Sequence, residues 1–232
     1  MIDFLKASGG SVVQFTGGEP AIYGELSALI EYANQRELQT MVATSGVKHS
    51  IEMYQNLKDR GLSVLCVSLN DIDKSRNALT RESYDVSVSA IKDACAVGLF
   101  CCVNVVVTDQ NVDHLEQLSA YLFQLGVQIV VFLRPFPSFD GKYIPTVSFE
   151  TVQKLKELVD QDPDRYVVEN CFKEYWEYTT DTPFVCRDAG VTTIFVNADG
   201  TVSPCSQMQQ YKYVSVEEMI QDRAVWQRGR CK

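Results

Sequence analysis

The sequence is poor in histidine and lacks the loop motifs of several common enzyme classes. Only His49 and His114 occur among its 232 residues, which leaves little for a histidine-based triad or a histidine-rich metal site. The sequence contains no G-x-S-x-G, Walker A or G-x-G-x-x-G motif. Serine-nucleophile, P-loop and dinucleotide-binding chemistries therefore find no support.

Positive charge and long apolar runs are also scarce. Lys and Arg number 21 against 30 Asp and Glu, a formal net charge of -9, and an acidic chain is a poor ligand for the phosphate backbone of nucleic acids. No apolar run approaches the roughly 18 residues that cross a bilayer. Residues 1–10 lack the basic and apolar regions of a signal peptide. We therefore expect a cytoplasmic protein with neither a nucleic-acid nor a membrane partner.

The eight cysteines fall into two groups. In a chain of this length without an export signal, free thiols or metal ligands are expected rather than disulfides. The first group stands in apolar strand and helix patterns, where we expect small buried hydrophobic side chains: Cys66, Cys95, Cys101 and Cys102. The second group stands in the polar C-terminal third, where a core role is less natural: Cys171, Cys186, Cys205 and Cys231.

Short apolar runs alternate with helical patterns along the first two thirds of the chain. The runs predict strands over residues 11–16, 40–44, 62–70, 99–108 and 127–133, with helices between them. Near-continuous apolar strands joined by crossover helices are typical of a parallel sheet covered by helices. The sequence therefore predicts an α/β fold whose ligands bind at the carboxyl ends of the strands.

A different organisation is predicted beyond a linker-like segment at residues 161–165. Residues 192–197 and 201–203 have the pattern of a β-hairpin, and the Asp199-Gly200 turn between them is typical of the two-residue I′ type. Ser215 and Glu218 have the spacing of a capping box that opens a last helix, which we expect to end at Gly229.

The segment Gly17-Gly18-Glu19-Pro20 lies between the first predicted strand and a helix. Two glycines allow backbone groups to approach a ligand closely, and Glu19 could accept a hydrogen bond from an ammonium group. Pro20 suits the first position of a helix. The same residues also suit an ordinary tight turn whose glutamate favours the helix N-terminus. Taken alone, the segment leaves both interpretations open.

With its flanks, this segment resembles the second-strand motif of radical S-adenosylmethionine (radical SAM) enzymes. Residues 43–46, 67–71 and 103–108 resemble, in the same order, the ends of the next three strands of that family. The resemblance implies that residues 1–165 form a partial (β/α)6 TIM-like barrel without its first β/α unit. It also implies a site for S-adenosylmethionine in which Gly17, Gly18, Glu19 and Pro20 hold the methionine amino group. Ser68 and Asn104 would line the nucleotide site, and Arg81 would meet the carboxylate.

The C-terminal third resembles the start of a SPASM or twitch module, which binds an auxiliary iron–sulfur cluster. Cys186 is followed by thirteen residues, Gly200, four residues and Cys205, and Cys231 stands where the module's next cysteine pair would begin. A hairpin turn at Gly200 would bring Cys205 back beside the strand that follows Cys186. The resemblance implies that residues 166–232 are a small hairpin-plus-helix module. It implies that Cys186, Cys205 and Cys231 ligate a [4Fe–4S] cluster.

The family's Cys-x3-Cys-x2-Cys motif, which holds the radical-generating [4Fe–4S] cluster, is not found in these residues. We therefore expect a fragment of a longer enzyme that is inactive by itself. A sheet without its first strand also has an exposed edge, which predicts self-association.

The sequence is compatible with three functions. The family resemblance implies reductive cleavage of S-adenosylmethionine and radical modification of a peptide, a peptide-derived compound or another small molecule. A non-catalytic barrel remnant that binds a peptide or a partner subunit is the alternative. An ordinary flavodoxin-like or TIM-type domain, in which the Gly-Gly-Glu-Pro segment is coincidental, is the third.

Overall fold

The main sheet has six strands in the order in which they occur along the chain. The structure, a computed structural model, describes residues 1–136, 146–172 and 188–227. Strands β1 to β5 pair in parallel, and β6 completes the sheet beside β5. The strands are β1 (Val12–Phe15), β2 (Gln39–Thr44), β3 (Val64–Ser68), β4 (Cys101–Val106), β5 (Ile129–Leu133) and β6 (Tyr166–Val168).

Helices connect these strands. The α-helices are α1 (Ile2–Ala7), α2 (Leu26–Asn34), α3 (Ile51–Asp59), α4 (Lys74–Asn77), α5 (Tyr84–Ala96), α6 (Leu115–Gln124) and α7 (Phe149–Gln161). Two short 3-10 helices, Pro20–Ile22 and Val112–His114, stand between a strand and the next α-helix. The predicted α/β class and parallel sheet are confirmed. The sequential strand order differs from the 2-1-3-4-5 order of flavodoxin-like folds, so the flavodoxin-like alternative is wrong.

The two faces of the sheet differ in burial. Val67, Val103 and Val130 lie in register on neighbouring strands and are 0% exposed. Cys101, on the same face, hydrogen bonds with Cys95 of α5, so this is the face that the helices cover. The next residue on each strand is half-exposed on the opposite face, which we call the open face: Ser68, Asn104 and Val131.

The handedness of the connections explains this difference. A crossover between parallel strands is almost always right-handed. When each new strand is added on the same side of the previous one, every crossover helix lies on the same face of the sheet. The other face is then left without crossover helices, and Ser68, Asn104 and Val131 are half-exposed there, although Cys66 and Cys102 on the same face are buried.

The first helical turn after β1 differs from the prediction. Pro20 begins a 3-10 helix that ends at Ile22, and α2 begins only at Leu26. Glu19 is the N-cap residue of the 3-10 helix, because its side chain accepts a hydrogen bond from the backbone N–H of Ala21. The interpretation of Glu19 as a residue that favours a helix N-terminus is therefore correct for this turn.

The chain divides into two compact units, of which the first comprises residues 1–135 and 146–167. In the second unit, β7 (Phe195–Val196) and β8 (Val202–Ser203) form an antiparallel hairpin. Two short helices follow, α8 (Val216–Gln221) and α9 (Arg223–Trp226), where a single helix was predicted. The predicted helix end at Gly229 lies outside the described residues.

The hairpin turn is not of the predicted two-residue I′ type. That type needs a positive φ at both central residues. Gly200 has a φ of 83°, whereas Asp199 is not among the residues with a positive φ. The N–H of Gly200 donates to the Asn197 carbonyl at 2.9 Å, and the N–H of Asn197 donates to the Thr201 carbonyl at 2.8 Å. This is the longer hairpin loop in which a four-residue turn is followed by a bulge.

No helix in the described ranges is both long enough and apolar enough to cross a bilayer.

Self-association is expected through β1, which stands at one edge of the sheet. An exposed edge strand offers unpaired backbone groups to a second chain, and a lysine on such a strand opposes pairing. We expect the wild-type chain to form dimers at high concentration in light scattering, and Val12→Lys to shift it toward monomer. Val12 is 39% exposed, and Val86 of α5, at 38%, provides a control of equal exposure. Val86→Lys should behave as wild type, and a wild-type chain that stays monomeric would contradict the prediction.

Candidate functional site

The turn after β1 leaves its backbone open to solvent. Gly17 has a φ of 131°, a conformation that side-chain-bearing residues rarely adopt. A Cβ atom placed on Gly17 or on Gly18 would meet no other atom within 4 Å. Gly17 and Gly18 therefore form a backbone surface, which we call the diglycine cradle, that a ligand can approach without displacing the chain.

Hydrogen bonds of the Glu19 side chain connect the diglycine cradle to the end of β2. Its Oε1 accepts hydrogen bonds from the N–H of Ala21 at 3.1 Å and from the hydroxyl of Thr44 at 2.6 Å. Its Oε2 accepts from the N–H of Ser45 at 2.9 Å and from the hydroxyl of Ser45 at 2.5 Å. Four bonds fill the acceptor positions of an ionised carboxylate. The side chain therefore fixes the turn after β1 to the end of the neighbouring strand.

The environment of Glu19 favours its ionised form. Burial raises the pKa of this carboxyl group, but the hydrogen bonds from Ser45, Thr44 and Ala21 outweigh burial and hold the pKa below its ordinary value. The carboxylate is therefore negative at neutral pH, and it belongs to the residue that directly follows the cradle in the sequence. Its role as the acceptor for a ligand's ammonium group stays a prediction, because the chain itself already supplies four donors.

Arg81 brings a positive charge into the same region. The side chain is half-buried, and its Nε is buried with no hydrogen-bond partner among the described residues. Burial lowers the pKa of the guanidinium, and the nearby negative charge of Glu19 opposes that effect. An unpaired buried donor is costly, so this guanidinium suits a ligand that brings an anionic group.

Ser68 and Asn104 lie side by side on the open face. They are register partners on β3 and β4, both are half-exposed, and both stand toward the carboxyl ends of their strands. The structure therefore brings these two predicted nucleotide-site residues together.

A buried amide network fixes the strand ends beyond these two residues. Oδ1 of Asn70 accepts from the N–H of Val106 at 2.9 Å, and Nδ2 of Asn70 donates to Thr80 Oγ1 at 2.9 Å. Asn111 Nδ2 donates to the carbonyls of Asn70 and Val106, both at 2.8 Å. Sequence reasoning did not assign this role, although an asparagine soon after each of two neighbouring strands was the available signal.

The predicted cluster ligands are only partly within the described residues. Cys205 is 9% exposed, and its Sγ accepts a hydrogen bond from the N–H of Gln207 at 3.2 Å. Cys186 and Cys231 lie outside the described residues. In the described part of the chain, no group of three or more His, Cys, Asp or Glu side chains is placed to hold a metal ion. The auxiliary cluster therefore stays a prediction.

A family model matches the first half of the chain. The model of the Radical SAM superfamily matches residues 1–122, which extend from α1 into α6.

Curated proteins with similar sequences are longer than this chain. Fe-coproporphyrin III synthase of Methanosarcina barkeri is 28% identical over 134 residues, which are 57% of this chain and 34% of that protein. Mycofactocin maturase MftC of Mycolicibacterium smegmatis is 28% identical over 163 residues, which are 69% of this chain and 41% of that protein. The matched part is thus 34% to 41% of the length of these relatives.

A solved structure shares the fold. SuiB of Streptococcus suis, crystallised with S-adenosylmethionine, aligns with a TM-score of 0.73 at 18% identity and covers 97% of this chain and 56% of that one. The structure of SuiB bound to the precursor peptide SuiA aligns with a TM-score of 0.70 at 18% identity and covers 88% of this chain and 51% of that one. At this identity the likeness concerns the fold alone, and it agrees with the predicted partial barrel.

Removing the charge of Glu19 should destabilise the chain at neutral pH but not in acid. In Glu19→Gln the amide group faces Ser45 donors that it cannot satisfy, so we expect a loss of about 1–3 kcal/mol at pH 7. Because folding lowers the pKa of Glu19, its contribution is present above the unfolded-state pKa. The contribution is lost as the pH falls through the folded-state value, so the two proteins should converge only once the pH lies below that lowered pKa.

Urea unfolding between pH 3 and pH 7 measures this difference. Glu25 is exposed and its side chain caps no helix, so Glu25→Gln is the matched control and should stay within about 0.5 kcal/mol of wild type. An equal effect of the two substitutions at pH 7 would show that the four hydrogen bonds of Glu19 do not stabilise the fold.

Proposed function

This chain belongs to the radical SAM superfamily, and from that premise we propose that it binds S-adenosylmethionine at the carboxyl ends of β1 to β4. We propose that the protein modifies a peptide or peptide-derived substrate by radical chemistry. The observation that carries the proposal is an exposed backbone turn that lies near two side chains of opposite charge. The cradle at Gly17 and Gly18, the carboxylate of Glu19 and the guanidinium of Arg81 meet in one region.

The methionyl end of S-adenosylmethionine carries an ammonium and a carboxylate group. Backbone carbonyls of the diglycine cradle would accept from the ammonium, with the charge of the neighbouring Glu19 adding a favourable potential. The unpaired Nε of Arg81 would donate to the carboxylate. Pro20 is buried and begins the 3-10 helix, so it fixes the path of the chain as it leaves the cradle.

The adenosyl end would lie along the open face. Ser68 and Asn104 are adjacent and half-exposed there, and a hydroxyl beside an amide suits the hydroxyl and nitrogen groups of a nucleoside. The Asn70 and Asn111 network fixes the two strand ends, so these side chains would be held in place before the ligand arrives. Such preorganisation lowers the cost of binding.

When bound, S-adenosylmethionine would supply one-electron radical chemistry, namely reductive cleavage followed by hydrogen abstraction from a substrate. The residues of this chain would bind and orient the cofactor. The Cys-x3-Cys-x2-Cys motif is not among these 232 residues, so these residues do not supply the ligands of the radical-generating cluster.

Relatives support a peptide substrate. MftC is named a mycofactocin maturase, and SuiB has been crystallised with a precursor peptide. Other relatives are named for small-molecule chemistry, among them the Fe-coproporphyrin III synthase. We propose the peptide class because a solved structure with the same fold holds a precursor peptide and because the PqqA peptide cyclase of Streptomyces rochei matches 90% of this chain. A probable GTP 3',8-cyclase of Sulfurisphaera tokodaii also matches 90% of the chain, so a small molecule is the competing substrate class.

We propose that Cys186, Cys205 and Cys231 ligate an auxiliary [4Fe–4S] cluster. The N–H group of Gln207 donates to Cys205 Sγ, and backbone N–H donors to sulfur are among the contacts that tune iron–sulfur clusters. This contact supports Cys205 as a ligand.

A non-catalytic binding protein is the second candidate. The observation that favours it is the saturation of Glu19, whose four acceptor positions are filled by the chain without any ligand. A remnant of this kind would bind a peptide or a partner subunit, and Glu19→Gln would leave that binding unchanged.

Adding a methyl group to the cradle tests the proposed cofactor site. A Cβ on Gly18 meets no atom of the chain, and neither does a Cβ on Gly24. We therefore expect Gly18→Ala and Gly24→Ala to unfold at the same denaturant concentration as wild type. Titration calorimetry with S-adenosylmethionine should show affinity weakened about tenfold or more in Gly18→Ala and unchanged in Gly24→Ala.

A second ligand shows which part of the cofactor is affected by the Gly18→Ala substitution. 5′-Methylthioadenosine keeps the adenosyl group but has no ammonium or carboxylate, so Gly18→Ala should not change its affinity. Arg81→Gln should likewise weaken S-adenosylmethionine alone. Equal affinity of the wild type and Gly18→Ala for S-adenosylmethionine would contradict the proposed site and favour the binding remnant.

Iron content after anaerobic reconstitution tests the auxiliary cluster. We expect the wild-type chain to take up iron and sulfide, and Cys205→Ala to lose most of both. Cys95→Ala removes a thiol that bonds to Cys101 in the first unit and should retain wild-type iron. If Cys205→Ala and Cys95→Ala retain equal iron, Cys205 is not a cluster ligand.

A further inference from the structure

The loop of residues 45–50 between β2 and α3, here the β2–α3 loop, is fastened to α5 at three points. The hydroxyl of Ser87 donates to the carbonyl of Ser45 at 2.8 Å. A Cβ on Gly46 would lie 2.6 Å from the Cβ of Ala90, so the loop backbone lies directly against the helix. The third point is His49, whose ring is bonded at both nitrogens.

The ring of His49 has a fixed proton on one nitrogen. Nδ1 lies 2.6 Å from the carbonyl oxygen of Gly46, and a carbonyl only accepts, so Nδ1 carries a hydrogen. Nε2 lies 3.1 Å from Asp93 Oδ2 and 3.3 Å from Ser89 Oγ. The nitrogen that gains or loses a proton is therefore Nε2, which faces α5.

The two protonation states bind α5 differently. With Nε2 protonated, it donates to the Asp93 carboxylate and forms an ion pair. With Nε2 neutral, it accepts from the Ser89 hydroxyl, and the Asp93 carboxylate faces a lone pair. Protonation therefore strengthens the attachment of the loop to α5, while the Nδ1 bond to Gly46 persists in both states.

A neutral aromatic side chain of α3 also contacts the His49 ring. The His49 ring stacks on Tyr54 of α3 with 5.8 Å between ring centroids. Burial raises the pKa of the Tyr54 phenol far above its ordinary value, so Tyr54 keeps its proton throughout the range in which histidine titrates. Among the residues that the structure describes, the titratable groups with a recorded contact to the ring are Asp93 on α5 and Tyr54 on α3, of which Asp93 carries the charge.

The loop held by His49 carries Ser45, the residue that binds Glu19 Oε2 through its N–H and its hydroxyl. We propose that His49 is a positioning residue for the diglycine cradle, acting through Ser45 and Glu19, and that a proton on Nε2 tightens its hold. As far as the ligand is concerned, the inference rests on the proposed binding of S-adenosylmethionine at the cradle. It names a residue outside the predicted site.

Amide hydrogen exchange in the free chain tests the positioning role without any ligand. His49→Phe keeps an aromatic ring on Tyr54 but loses both ring hydrogen bonds. The protection factor of the Ser45 amide should fall about tenfold in this variant, with a similar loss at the amide of Ala21, which donates to Glu19 Oε1. His114→Gln, at the other histidine of the chain, is the control and should match wild type.

A second variant tests the protonation step and avoids the risk that His49→Phe unfolds. Asp93→Asn keeps a hydrogen-bonding side chain but removes the charge. In wild type we expect the Ser45 protection factor to be higher at pH 5, where histidine side chains ordinarily carry both ring protons, than at pH 8. In Asp93→Asn this pH dependence should shrink, because the amide can accept from protonated Nε2 and donate to neutral Nε2, and the protection at pH 8 should be no lower than in wild type.

Two results would overturn the inference: wild-type protection of Ser45 in a folded His49→Phe, or an unchanged pH dependence in Asp93→Asn. Titration with S-adenosylmethionine separates this inference from the proposed function. If the exchange results are as expected and His49→Phe also weakens the cofactor's binding relative to His114→Gln, both stand. If the exchange results are as expected and no variant binds the cofactor, the role of His49 in holding the loop stands and the proposed function fails.

Discussion

One constraint determines where this protein offers a binding site. Its parallel strands follow one another in sequence, so its right-handed crossovers cover a single face of the sheet. The covered face is packed by Val67, Val103 and Val130. The uncovered face presents the next residue of each strand, which is half-exposed. The carboxyl ends of the strands bring loops from distant parts of the sequence to one edge. The location of the site therefore depends first on the order of the strands in the sheet and only then on particular side chains.

Glu19 shows how that edge is held together. Its four donors come from Ala21 on its own turn and from Thr44 and Ser45 at the end of the next strand. The β2–α3 loop that carries Ser45 is in turn fastened to α5 by Ser87 and His49. A chain of polar contacts thus runs from a helix behind the sheet to the glycines at its edge. Each member restrains the next, so the position of the cradle depends on residues that no ligand touches.

The sequence predicts the fold well and the site only in part. The apolar runs at 62–70 and 99–108 contain β3 (Val64–Ser68) and β4 (Cys101–Val106), because buried parallel strands need nearly continuous apolar residues. Local spacing also placed the glycines after β1. It could not show that Glu19 is saturated, since two of its partners stand 25 and 26 residues later in the chain. For the same reason it gave no role to His49, which reaches Ser89 and Asp93 on α5 only after folding.

The saturation of Glu19 also has a consequence for the thermodynamics of ligand exchange. A free carboxylate in a binding site must shed its water each time a ligand arrives and regain it each time the ligand leaves. Here the backbone and hydroxyl donors of Ala21, Thr44 and Ser45 replace that water when the chain folds. The dehydration of this charge therefore belongs to the free energy of folding and not to each binding event. A ligand at the cradle would meet a fixed negative potential whose solvent has already been exchanged for protein dipoles.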